Sequence, residues 1–139
     1  MMEAQELRIG NLVINEITKE VIEVYPMMIS QLSRIQGESN IKPIPLTGEW
    51  LVKLGFISNN HEFQETYFID ISTDERYDYQ TLIQAIYMDD YTNIYIKDVE
   101  RGNELDFSDA FIKKVKHVHD LQNLYQAMTG EELTLKTNP

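Results

Sequence analysis

Cysteine is absent from the 139 residues, which excludes disulfides, thiolate metal sites and a cysteine nucleophile. That absence fits a reducing compartment. Basic side chains are scarce too: 12 Lys and Arg stand against 23 Asp and Glu, a formal net charge of -11. Such a balance argues against direct binding to nucleic acid or to an anionic membrane surface. No apolar run approaches the roughly 20 residues of a membrane span. The first residues lack the basic-then-apolar order of a signal peptide, since Glu3, Gln5, Glu6 and Arg8 interrupt it, and the cytoplasm is the expected location. No GxSxG, P-loop or dinucleotide fingerprint occurs. What remains is ordinary for a folded protein: 42% hydrophobic and 25% charged residues predict a single domain over 1–139 with its own core.

The strongest local pattern lies near the C-terminus. Val118, Leu121, Leu124, Tyr125 and Met128 recur at three- and four-residue steps, which predicts a helix with these on its buried face. His119, Asp120, Gln122, Asn123 and Gln126 fall on the other side. Asp120 suits the positive end of the helix dipole, and Gly130 suits a left-handed cap. Upstream, residues 6–14 read as a strand broken by a bulge or bend at Gly10-Asn11, residues 19–25 as a second strand and 27–35, after Pro26, as a third. Together they predict a bent, small barrel-like meander. Pro43 and Pro45 keep 41–46 extended. Thr47 then caps a short helix through Leu54, ended by Gly55, with Leu46 and Leu51 placed as a hydrophobic staple. A strand follows at 62–72. Residues 81–88 suit helix or strand, and strand is preferred because Asp89-Asp90-Tyr91-Thr92-Asn93 then joins it to 94–99 as a hairpin. Arg101-Gly102-Asn103 is a turn, and 111–117 a last strand. The expected class is α+β: a meander over 1–46, then over 47–133 a short helix and an antiparallel sheet under the C-terminal helix, with 134–139 a frayed tail.

Three blocks, ELRIGNLV at 6–13, IPLTGEWLVKLGF at 44–56 and VHDLQNLYQAMTGEEL at 118–133, stand in an order that resembles a family of small uncharacterised proteins of Bacteroidetes genomes, often found within phages or mobile elements. The chain departs from that pattern at Asp120, where glutamine is usual, at Gly48, where an acid is usual, and at Met128, where leucine is usual. Residues 59–110 match poorly. The resemblance implies a provenance, a phage or mobile-element accessory protein, and brings no activity, cofactor or catalytic residue.

His117 and His119 are the weak metal candidates, with Asp120 or His61 to complete a set. Without an HExxH or a third clearly spaced ligand, they read as junction histidines, and no metal or cofactor is expected. The pairs Asp89-Asp90 and Glu131-Glu132 lie in turn-like or terminal segments, where solvated surface is commoner than a catalytic dyad. The tyrosines are more informative. Six of the eight lie between residues 67 and 95. Over 62–109, thirteen acids face three bases, a net of -10. Tyrosine supplies broad amphipathic contact at low entropic cost. The candidate interaction surface is Tyr77, Tyr79, Tyr87, Asp89, Asp90, Tyr91 and Tyr95. The leading reading is a non-enzymatic protein that binds a basic host protein, as an inhibitor or nucleic-acid mimic, and itself binds neither nucleic acid nor membrane. The competing readings are a small enzyme or metal protein centred on His117 and His119, and an assembly component acting as a homo-oligomer.

Overall fold

A computed structural model of the chain describes residues 7–28, 40–58, 65–71, 79–100 and 106–135, with the backbone alone described at 79–80, 99–100 and 106–109. The class is α+β. The described strands form two open antiparallel sheets rather than a barrel-like closure: three strands in the order β2-β1-β3, and five in the order β4-β5-β6-β7-β8. The chain divides into two compact units, residues 1–45 with 117–133, and residues 46–116 with 134–139.

In the first unit, β1 (Leu12–Asn15) is the centre of the small sheet, with β2 (Val21–Glu23) and β3 (Ile41–Pro43) antiparallel on either side. Before β1 the chain turns at Ile9-Gly10, and Gly10 adopts φ 96, a left-handed value that suits a residue without Cβ. The expected interruption at Gly10-Asn11 is therefore a turn that precedes the strand. The expected third strand over 27–35 is not found where the chain is described: residues 26–28 are helical (α1), and 29–39 lie outside the described residues. Proline is favoured at the opening of a helix, where its missing N–H has no partner to lose. Leu7, Val13, Val24 and Met28 form the unit's apolar core, with Ile22 and Ile41 packed against it.

The C-terminal helix belongs to this unit. It runs Val118–Thr129 (α3 here; α2 is Gly48–Lys53) and packs against β1. Gly130 closes it at φ 77 and donates to the Gln126 carbonyl. Its existence and end were legible, but its faces were misassigned. His119 and Gln122, expected outside, are buried at 1% and 0%, whereas Leu124, Tyr125 and Met128 are only half-buried.

The reason is a polar lock. Gln122 Oε1 accepts from the Leu12 backbone N–H at 2.7 Å, and its Nε2 donates to the carbonyls of Leu133 at 3.0 Å and Gly10 at 3.3 Å. Asn11, wholly buried, donates to Asn123 Oδ1 at 2.8 Å and accepts the Arg8 backbone N–H. The Arg8 guanidinium donates to Asn123 Oδ1 and to the Gln122 carbonyl, and pairs with Glu132. A buried amide is costly only when its groups lack partners, and here each end of Gln122 has one. Arg8, Gly10 and Asn11 of the first sequence block thus interlock with Gln122, Asn123 and Glu132 of the third.

In the second unit, Thr47 caps α2 by accepting the Trp50 N–H at 3.3 Å, and Gly55 follows at φ 100. Leu46 and Leu51, the expected staple, are both buried. α2 packs against β4 (Ile57–Ser58) and β5 (Glu65–Asp70). The strand reading of 81–88 holds: β6 (Tyr79–Tyr87) pairs with β7 (Thr92–Glu100), which pairs with β8 (Asp106–Val115). Ile83, Ala85, Ile94 and Val115 are buried. The expected turn at 101–103 lies outside the described residues, as do 136–139 of the tail.

Candidate functional site

The β6–β7 hairpin gathers part of the expected tyrosine and aspartate set. Tyr87 pairs with Thr92 as the last rung, leaving Met88, Asp89, Asp90 and Tyr91 to make the tip. The Met88 N–H donates to the Tyr91 carbonyl, and the Asp90 N–H donates to the Met88 carbonyl, both at 2.9 Å. That second bond spans two residues with φ 70 at Asp89 between them, the γ-turn of positive φ, a strained form for any residue with a side chain. Asp89 and Asp90 are both exposed, and Met88 is 43% exposed beside them.

The remaining candidates are dispersed. Tyr77 lies outside the described residues, and Tyr79 opens β6. Tyr87 shares a face of β6 with Ile83 and Ala85, while Tyr95 pairs with Gln84 and meets Phe111 edge-on at 5.5 Å on the opposite face. Tyr91 is covered by Lys114, whose Nζ lies 4.5 Å from the ring centroid, a cation–π contact the sequence did not disclose. Lys113, Lys114 and Lys116 are exposed at the end of β8, so negative charge is not uniform over this unit. Among the described residues, Asp89 and Asp90 at the tip stand side by side and exposed. Deeper in the sheet, burial first and then the Glu65 carboxylate, which accepts the Tyr67 hydroxyl at 3.2 Å, raise the Tyr67 pKa above its ordinary value. In the other unit burial, then Glu131, raises that of Tyr125.

The histidines straddle the strand-to-helix junction, the place the sequence reading preferred over a pair on one strand. His117 is the extended residue before α3, at φ -130 and ψ 156, and its side chain makes no cap. Val118 donates to the Ile44 carbonyl at 2.8 Å, and Pro45 bridges to His117, which fixes the junction. The turn into helix brings Asp120 under both rings: Oδ2 is 3.2 Å from His117 Nδ1, and Oδ1 is 3.4 Å from His119 Nε2. The imidazoles stack at 5.6 Å with 11° between planes. His61 lies outside the described residues. Among the described residues no helix is long and apolar enough to cross a membrane. No protein-family model matches the chain, and no curated protein or solved structure matches it.

Proposed function

We propose that this protein is a non-enzymatic accessory of a phage or mobile element that engages a basic host protein, in the bacterial cytoplasm, through the tip of the β6–β7 hairpin. One observation carries the reading. Asp89 occupies a left-handed position that glycine would fill with less strain, and it presents a carboxylate beside that of Asp90 in full solvent. Strain held at an exposed, chemically distinct turn is a signature of sites kept for recognition. Tyr87 and Tyr91 flank the pair at the base of the tip, both half-buried and Tyr91 beneath Lys114, and their exposed edges add apolar contact that two carboxylates lack. In its sharpest form the tip occupies a nucleic-acid-binding site on the partner.

Affinity capture from a Bacteroidetes host tests this. The wild-type chain retains a basic protein that the double variant Asp89→Lys with Asp90→Lys does not, and duplex DNA displaces it if the tip mimics nucleic acid. Equal recovery of every captured protein by both baits overturns the proposal. The turn itself offers a separate check. Asp89→Gly relieves the left-handed strain, so folding stability stays level or rises by up to about 1 kcal/mol, while capture of the partner falls. A clear loss of stability in that variant would mean that the Asp89 side chain serves the fold.

A further inference from the structure

The unit that carries α3 holds a second group of residues with chemistry to offer, independent of the hairpin. We infer that His117, His119 and Asp120 form a binding site for a divalent transition cation of the zinc class. One ligand atom from each lies within 4.8 Å of the others. In a tetrahedral site with ordinary zinc–nitrogen and zinc–oxygen bonds, neighbouring ligand atoms sit about 3.3 Å apart. The two histidine–aspartate separations, 3.2 and 3.4 Å, already match that spacing. The remaining adjustment is to turn the His117 ring, whose side chain is 36% exposed, and to offer both imidazoles the same carboxylate oxygen.

The donor set selects the ion. Two imidazole nitrogens with one carboxylate suit zinc, cobalt or nickel, whereas calcium and magnesium take shells of oxygen. The parts differ in rigidity. His119 is 1% exposed and held in the first turn of α3, so it is an anchored ligand. His117 and Asp120 are each about one-third exposed and open to solvent, which gives an entry path and leaves room for water to complete the coordination. The positive end of the helix dipole opposes a cation here, but the Asp120 carboxylate stands at that same end and offsets it. The ordinary alternative is that Asp120 merely bridges two imidazoles by hydrogen bonds. Both arrangements place a carboxylate between two rings, and only one of them takes up metal with fixed stoichiometry.

The test uses untagged full-length protein, dialysed against chelator and then titrated with zinc chloride in a calorimeter and with cobalt chloride by visible absorption. The expected result is one ion per chain with a dissociation constant in the micromolar range or tighter, and cobalt bands of low coordination number. His117→Ala and Asp120→Asn each weaken binding at least about tenfold, a loss typical even of outer-shell changes at metal sites. His119 is buried and its substitution can unfold the helix, so the exposed pair carries the test, with circular dichroism confirming that α3 persists. Zinc also raises the melting temperature of the wild type and not that of His117→Ala. Failure of the wild type to bind zinc below about 100 µM overturns the site. So does binding that survives His117→Ala combined with Asp120→Asn.

Discussion

Gln122→Met will cost the fold more than truncating the apolar residues that follow it in the same helix. Methionine keeps the volume of glutamine and removes both polar ends, so the variant isolates the hydrogen bonds. It strands the Leu12 N–H and the carbonyls of Leu133 and Gly10, which Gln122 now satisfies at 2.7, 3.0 and 3.3 Å. A buried polar group left without a partner costs about 1–3 kcal/mol, so the three together come to roughly 3–9 kcal/mol. That is a large fraction of the stability of an ordinary domain, about 5–15 kcal/mol. Leu124→Ala, by contrast, removes a half-buried side chain and falls below the roughly 2–5 kcal/mol of a fully buried leucine such as Leu121. Urea unfolding of the two variants gives the order directly. A Gln122→Met protein as stable as Leu124→Ala would show that the polar lock is decorative.

Gly48→Ala is the second change with a large expected effect. A Cβ at position 48 would stand 2.1 Å from the Tyr67 hydroxyl oxygen and 2.9 Å from its ring carbon, with a Glu65 carboxylate oxygen at 3.1 Å. Tyr67 is 5% exposed and hydrogen-bonded to Glu65, so its ring has little room to yield. Overpacking of this kind typically costs about 1–3 kcal/mol and occasionally more. Tyr67→Leu, which removes the far end of the ring, should therefore be less damaging in the Gly48→Ala background than alone. Additive losses in that cycle would place the strain elsewhere.

These two sites illustrate what the sequence disclosed and what it hid. The α2 helix was legible throughout because its instructions are local: Thr47 caps, Leu46 and Leu51 staple, Gly55 ends. The α3 helix was legible in extent for the same reason, with Gly130 as its stop. Its buried face was not, because polarity was taken as exposure. The partners that make Gln122 and Asn123 welcome inside, Leu12 and Asn11, lie 110 and 112 residues away, beyond any periodic pattern. Residues 27 and 28 read as strand only because the opening role of Pro26 was overlooked. The hairpin was placed correctly by Asp89-Asp90, yet the left-handed turn at Asp89 and the lysine over Tyr91 depend on cross-strand register. His117 and His119 were legible as histidines straddling a strand-to-helix junction, with the helix starting between them. That Asp120 comes within reach of both rings required the fold.

The proposed recognition through two exposed carboxylates on a strained turn is tested most directly by kinetics. With the captured host protein purified, its association with the wild-type chain is followed at increasing salt, alongside the variant with Asp89→Lys and Asp90→Lys. Long-range attraction is screened to about 8 Å at physiological ionic strength, so a charge-guided encounter must slow steeply across that range. The expected result is fast association at low salt, a steep decline as salt is added, and a double variant that associates more slowly while dissociating at nearly the wild-type rate. An affinity indifferent to both salt and the double reversal would contradict it, and would leave the aspartates of the tip as a solubility feature alone.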